Sequence, residues 1–134
     1  MGTKIIIPVS YGELLDKISI LEIKAKKCIN SEQLKNIYYE LQLLQKTYTD
    51  NYLEGVDGFM GQLRVVNEQL WDLEDQIRVL AYNKNLGQEF VHIAIEIYKK
   101  NDERARIKQC INLTTKSTIF EEKIYSCTTS NCRD

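Results

Sequence analysis

The sequence has little of what interrupts or divides a chain. Its 134 residues include one proline, Pro8, and one histidine, His92. Because proline is the strongest helix breaker, its absence after position 8 permits long uninterrupted helices. No serine, cysteine or acidic partner stands at a suggestive local spacing from His92, so we expect a packed or edge histidine rather than a catalytic one.

Long apolar runs and an excess of either charge are also lacking. The apolar run near the start, Ile5 to Ile7, is too short for a signal peptide, and no run approaches the ~20 residues of a membrane span. With 18 Lys and Arg against 19 Asp and Glu, the formal net charge is −1. No basic surface for nucleic acid or an anionic membrane is therefore expected. We predict a cytoplasmic protein with neither of these partners.

The cysteines do not form a metal-binding pattern. They are Cys28, Cys110, Cys127 and Cys132. A zinc site needs ligand pairs about two to four residues apart with further cysteine or histidine partners, and here only the last two cysteines lie close together. We therefore expect reduced thiols with structural or incidental roles, and no cofactor.

Apolar spacing predicts four helices. The first begins at Ser10, because Ser10 and Glu13 form a capping box in which each side chain satisfies a free backbone donor. Asn30 and Ser31 interrupt it, and the second helix then shows helical spacing from Leu34 to Tyr48. A glycine-containing connection over residues 52–61 leads into the third, and the cluster at 83–87 leads into the fourth. Such short links indicate antiparallel hairpins of helices.

The third helix carries a heptad seam with apolar residues at alternating spacings of four and three. Its members are Phe59, Leu63, Val66, Leu70, Leu73, Ile77 and Leu80. We predict one all-α domain over residues 1–134: an antiparallel four-helix arrangement of two helical hairpins with a short C-terminal segment and a mobile tail over 126–134. The apolar stripes of these helices cover more surface than one small bundle needs to bury, so we also predict a homodimer. The first half of the fourth helix, apolar on nearly every side, should be the most enclosed part.

Polar residues accompany these seams and mark a candidate site between the third and fourth helices. One stripe follows the margin of the third-helix seam: Asn67, Trp71, Glu74 and Arg78. On the fourth helix the apolar seam itself continues into three polar members, which are Asn101, Arg104 and Lys108. Buried charge without a partner costs several kcal/mol, so this segment either turns to solvent or belongs to a polar cluster.

Carboxylates are the expected partners of the bases in this site. Glu74 or Asp75 could pair with Arg104 or Lys108 across the hairpin. Glu13 and Asp16 lie one turn apart on the first helix, and together with carboxylates such as Asp75 on a facing helix they could hold a magnesium ion. A solvated face is the alternative explanation for the carboxylates of the third helix.

Four polar-rich strings give the chain a family resemblance that spans almost its whole length. They are SYGELLDKISILEIK at 10–24, NEQLWDLEDQIR at 67–78, NDERARIK at 101–108 and EEKIY at 121–125. The chain resembles an uncharacterised family of small helical bacterial and marine-phage-type proteins with the motif S-x-G-E-L-x-D-K-x-x-I-L, which has no assigned activity. The resemblance implies motif positions at Glu13, Asp16, Lys17, Asn67, Trp71, Glu74, Arg78, Asn101, Asp102, Arg104, Lys108, Glu121, Lys123 and Tyr125.

Three functions remain open at this stage. Our primary interpretation is a helical oligomerisation or binding module, in which the polar stripe fixes the register of the helices. The alternatives are a magnesium-dependent enzyme acting on a phosphorylated substrate and a metal-free site for a small carboxylate or phosphate anion, held in either case by Arg78, Arg104 and Lys108. Acids converging around one void would favour the enzyme, bases alone would favour the anion site, and complete mutual pairing would favour the module.

Overall fold

The computed structural model describes residues 2–125, and in this range it contains four helices and no strand. They are α1 (Tyr11–Lys27), α2 (Ser31–Asp50), α3 (Asp57–Tyr82) and α4 (Gln88–Thr114). The all-α prediction is confirmed, and the tail predicted over 126–134 lies outside the described residues. In the part of the chain that is described, no helix is long and apolar enough to cross a membrane.

Helix α1 begins where its capping signal predicts. The Ser10 hydroxyl oxygen accepts a hydrogen bond from the Glu13 backbone N–H at 3.2 Å. The second half of the predicted capping box is replaced by a tertiary contact, because the Glu13 carboxylate lies 2.9 Å from Lys108 Nζ on α4. The start of α1 is therefore held both by its own cap and by α4.

Helix α3 begins earlier than its glycines suggest. The predicted connection over 52–61 ends at Asp57, whose two carboxylate oxygens accept hydrogen bonds from Tyr48 and Tyr52, each at 2.9 Å. Gly55 supplies the left-handed turn, with φ of 93°. The next residue, Val56, is fully buried and anchors the helix start in the core. Both later glycines of this stretch are consequently helical.

Helix α1 is the central element of the fold. It packs against each of the other three helices, and α3 packs against α4. The most deeply buried large side chains are Leu15 on α1, Leu63 on α3 and Ile111 on α4. Helix α2 covers α1 from outside and adds Leu41 to the same core. Because α1 is enclosed on several sides, polar residues between its apolar seams are also buried.

The α3–α4 hairpin extends beyond α1. Helices α3 and α4 have 26 and 27 residues and α1 has 17, which corresponds to about 40 Å against about 25 Å of helix. Ion pairs of Glu22 with Arg64 and of Lys26 with Glu68 show that α1 runs alongside α3 in the same direction. Its last residue, Lys27, lies near Asp72. Most of residues 73–98, which we call the hairpin tip, therefore lies beyond the end of α1.

The first half of α4 is consequently not the most enclosed part of the fold, and that prediction is wrong. Val91, Ile95 and Tyr98 are 52%, 39% and 57% exposed, whereas Ile93, which faces α3, is 5% exposed. The segment is apolar on several faces, but only one neighbouring helix is long enough to cover it. The apolar side chains of this segment therefore form a surface that the described fold leaves exposed.

Candidate functional site

A buried carboxylate lies at the junction of α1, α3 and α4. Asp16 on α1 is 1% exposed. Arg104 on α4 donates to it twice, from Nε to Oδ1 at 2.8 Å and from Nη2 to Oδ2 at 2.5 Å. Two parallel charge-assisted bonds of this kind fix the orientation of both side chains. This pair also raises the pKa of Arg104 above its usual value, against the opposing effect of burial.

The third helix joins the same network through Asn67. Its amide Nδ2 donates to Asp16 Oδ1 at 3.0 Å and to Ser19 Oγ at 2.7 Å. The Ser19 hydroxyl in turn donates to the backbone oxygen of Asp16 at 2.7 Å. Within residues 2–125 no buried side-chain polar atom is without a hydrogen-bond partner. The network is therefore satisfied internally.

Lys108 ties the C-terminal segment to this centre. The side chain is only 8% exposed and lies 2.9 Å from Glu13 and 3.0 Å from Glu121, with Asp16 at 3.9 Å. Burial is the largest single influence on the pKa of Lys108 and acts to lower it. The hydrogen bonds to the two glutamates and the nearby negative charges of Asp16 and Glu13 together outweigh burial and leave the pKa raised. Lys108 is therefore a paired cation at neutral pH.

Close contact between α1 and α4 depends on a glycine. The Gly12 backbone N–H donates to Asn112 Oδ1 at 2.8 Å. A Cβ at Gly12 would lie 2.7 Å from that oxygen and 2.7 Å from the Lys108 backbone oxygen, closer than real contacts allow. Only glycine permits this approach, and the approach brings Lys108 within reach of Glu13.

Six of the seven predicted ligand-binding residues line one groove beside the network. These residues are Asn67, Trp71, Glu74, Arg78, Asn101 and Arg104, with Asp75 at the same groove. It has a volume of about 280 Å³, and Ile20, Ile23 and Leu70 form its apolar part. The seventh residue, Lys108, lies outside it. Since Arg104 already binds Asp16, the groove presents Arg78 together with two carboxylates rather than bases alone.

The predicted partners of the bases need correction. Arg104 and Lys108 were expected to pair with Glu74 or Asp75 on α3, but their carboxylate partners lie on α1 and in the C-terminal segment. Glu74 instead lies 3.6 Å from Arg78 on its own helix. The physical reason is that α1 occupies the groove between α3 and α4. Of the two alternatives for the polar seam of α4, the polar cluster is confirmed at Arg104 and Lys108.

The residues proposed for magnesium are paired with bases or line the groove. Glu13 and Asp16 each face a base, and Asp75 lines the groove. Among residues 2–125 no group of three or more histidine, cysteine, aspartate or glutamate side chains is arranged to hold a metal ion.

Comparison with known families places the chain. The model of a family of unknown function, DUF6165, matches residues 5–133. The chain belongs to that family. The match includes all four helices and every residue of the polar network. No curated protein and no solved structure matches the chain.

Sequence reasoning missed several members of the polar network in this DUF6165 protein. Ser19, Asn112 and Gly12 were not singled out as site residues. Asp16 was named as a motif position, but the only role suggested for it was that of a metal ligand. One signal was present for Asp16: it lies between Leu15 and Ile18, in a helix whose apolar residues occupy more than one face. Such a position indicates a buried carboxylate, which requires a partner.

Proposed function

We propose that this DUF6165 protein is a helical binding module that acts as a homodimer. The observation that carries the proposal is a stripe of exposed apolar side chains on the hairpin tip, which we call the distal stripe: Val91, Ile95 and Tyr98. Their spacing of four and three places them on one face of α4. That face points away from the core of the described fold.

Other apolar side chains of the tip are exposed as well. Leu86 and Tyr82, at the turn of the hairpin, are 61% and 87% exposed. A typical stable complex buries about 800 Å² per partner, and these side chains would supply part of that area together with the distal stripe. Neighbouring polar side chains would supply the rest.

A second copy is the partner that best fits this surface. The tip consists of two helices, so each helix has only one neighbour against which to bury apolar side chains. A two-fold contact between two tips brings four helices together, and helical hairpins commonly bury their apolar faces in this way. The half-buried seam residues Leu73 and Ile77 would then lie inside a larger core.

The polar network supports this function indirectly. Its bases are paired with Asp16, Glu13 and Glu121, and mutual pairing is what a structural role requires. Buried polar groups of this kind can fix the register of packed helices. We propose that the network holds α1 at one position along the α3–α4 hairpin and so leaves the tip uncovered.

Sedimentation velocity on matched lysine variants tests the proposal. Val91→Lys places a charge in the distal stripe, and Val65→Lys changes a valine of similar exposure, 59%, on α3 below the tip. We expect a dimer for the wild type and for Val65→Lys, and a monomer with unchanged helix content for Val91→Lys. The same oligomeric state for all three proteins would contradict the proposal.

The shared groove favours a second candidate function, the binding of a small phosphate or carboxylate ligand beside Arg78. A ligand at ~100 times its dissociation constant stabilises the fold by about 2.7 kcal/mol. Thermal unfolding with inorganic phosphate and with succinate would reveal it. The shift should disappear in Arg78→Ala and persist in Arg106→Ala, which lies outside the groove. A shift that needs magnesium and is abolished by EDTA would instead favour the enzyme.

We further propose that the protein is cytoplasmic, with neither nucleic acid nor a membrane as partner, and that the motif S-x-G-E-L-x-D-K-x-x-I-L is typical of a family of small bacterial and marine-phage-type proteins. Free thiols at Cys28 and Cys110 support a reducing compartment. Ser10, Gly12, Glu13 and Asp16 each have a structural role at the start of α1, which supports the motif.

A further inference from the structure

A second exposed apolar segment lies at the opposite end of the molecule from the hairpin tip. Residues 4–9, which we call the N-terminal arm, belong to no helix. Ile5, Ile6 and Ile7 are 85%, 93% and 63% exposed, and Val9 is 45% exposed. Among the hydrogen bonds and ion pairs of the described residues, none involves residues 2–9. Both the side chains and the backbone of the arm are therefore available to a partner.

The sequence of the arm favours an extended backbone, and its root is fixed by the start of α1. β-Branched isoleucines favour extended backbone. Pro8 fixes its own φ and keeps the preceding residue extended. The arm then meets Ser10, which is 8% exposed and caps α1. Because Gly12 lies against Asn112, the root is level with the C-terminal end of α4, far from the distal stripe.

We propose that the arm of each copy packs on the hairpin tip of the other, against Tyr82 and Leu86. This inference rests on the proposed homodimer and identifies a second contact in it. The arm and the tip each expose large apolar side chains, and they lie at opposite ends of the α3–α4 hairpin. Exchange of an identical segment between two copies covers both surfaces without any other partner.

The lengths of the elements allow this exchange in an antiparallel dimer. We place the two-fold axis where the two distal stripes cross, at Ile95. The arm root of one copy is level with Asn112. At 1.5 Å per helical residue, it lies about 25 Å from the axis. The start of α4 in the other copy, Gln88, lies about 10 Å from the axis on the same side. The gap is about 15 Å, and six extended residues span about 20 Å.

Charge favours the antiparallel arrangement over the parallel one. Asp102 is the next residue along the distal stripe, about one helical turn beyond Tyr98, and its carboxylate accepts a hydrogen bond from the Tyr125 hydroxyl at 3.0 Å. In a parallel pair the two copies of Asp102 would face each other and repel. In an antiparallel pair centred on Ile95, each Asp102 is level with Gln88 of the other copy, an uncharged residue at the start of α4. The arrangement that avoids repulsion is the one that brings the arm to the tip.

Disulfide trapping between two single-cysteine chains tests the exchange. In a background with all four native cysteines replaced by serine, a chain carrying Ile6→Cys is mixed with a chain carrying Leu86→Cys and oxidised after subunit exchange. The control replaces Ile6→Cys with Ile29→Cys, an isoleucine on the α1–α2 link that is fully exposed. We expect the mixed disulfide of the arm chain at a yield at least tenfold above that of the control.

The outcomes separate this inference from the proposed function. If light scattering shows a dimer but the Ile6→Cys chain cross-links no better than the Ile29→Cys chain, the arm exchange is wrong and the homodimer stands. If the wild type is a monomer, both are wrong. An independent measurement is the dimer dissociation constant, which we expect to rise at least tenfold in Ile6→Asp and to be unchanged in Ile29→Asp. Equal dissociation constants for these two variants would also overturn the exchange.

Discussion

Asp16 is the residue on which the polar contacts of three helices converge. Its two oxygens receive hydrogen bonds from Arg104 and Asn67, and Lys108 lies 3.9 Å away. Burying such a pair is often neutral in free energy compared with an apolar pair, because desolvation opposes the attraction. The removal of one partner is different, since it leaves the other charge buried and unpaired.

We therefore predict that Asp16→Ala lowers the free energy of unfolding by about 3 kcal/mol, the lower end of the range for a broken buried pair, because half-buried Arg104 loses its carboxylate partner. Urea denaturation followed by circular dichroism measures the loss. Asp75→Ala is the control, since this aspartate is exposed and outside the network. Similar urea midpoints for the two variants would show that the network does not hold the helices.

Two glycines with opposite surroundings give a second prediction at this scale. Gly12→Ala places a Cβ 2.7 Å from two oxygens, and we expect a loss of about 1–3 kcal/mol from overpacking between α1 and α4. Gly61→Ala meets nothing within 4 Å on α3, and we expect a gain of about 0.5–1 kcal/mol from reduced chain entropy. Thermal unfolding compares the two, and a tolerated Gly12→Ala would contradict the close approach.

Residue identities alone predicted part of the site. The polar seam on α4 identified Arg104 and Lys108 as members of a cluster, because charge inside an apolar pattern requires a partner. The partner itself was missed, since Arg104 and Asp16 are 88 residues apart. Periodicity describes the faces of one helix and does not say which other helix lies against each face.

At the scale of whole elements, the junction between α2 and α3 depends on two tyrosines. Both donate to the carboxylate of Asp57 in the first turn of α3, and the negative charge also suits the helix N-terminus. Burial, followed by the hydrogen bond to Asp57, raises the pKa of Tyr48 to about 12. The neutral phenol is therefore the form that the folded protein favours.

This shift predicts a pH dependence of stability. A pKa of about 12 in the folded protein, against 10.0 as the ordinary value, means that the contribution of Tyr48 is complete below pH 10 and is lost as the pH rises toward 12. We expect the stability difference between wild type and Tyr48→Phe to shrink over this interval in urea denaturation. A difference that stays constant from pH 9 to pH 12 would contradict the assignment.

The presence of the four helices could be predicted from the sequence better than the contacts that cover them. The start of α1 followed from Ser10, whose capping chemistry is local. The start of α3 was placed too late, because glycines were interpreted as a connection although buried Val56 already anchors the helix. The prediction that the first half of α4 is enclosed was wrong for a different reason. Apolar composition does not show whether a neighbouring helix is long enough to cover a segment.

At the scale of the whole molecule, the α3–α4 hairpin extends beyond α1, and this difference in length leaves apolar surface exposed. Helix α1 ends beside Asp72, and the α3–α4 hairpin continues without it. The surplus of apolar stripe visible in the sequence led to the prediction of a homodimer. The exposed distal stripe gives that prediction a location, and the N-terminal arm gives it a second contact. In our proposal, the polar network at Asp16 holds α1 at one position along the hairpin and so sets how far the tip extends.

The molar mass of the wild-type protein in solution tests the central claim most directly. Light scattering coupled to size-exclusion chromatography, over a concentration series, reports it without any substitution. We predict twice the mass of one chain, falling toward one chain mass only on strong dilution. The mass of a single chain at every concentration, including the highest attainable, would contradict the account.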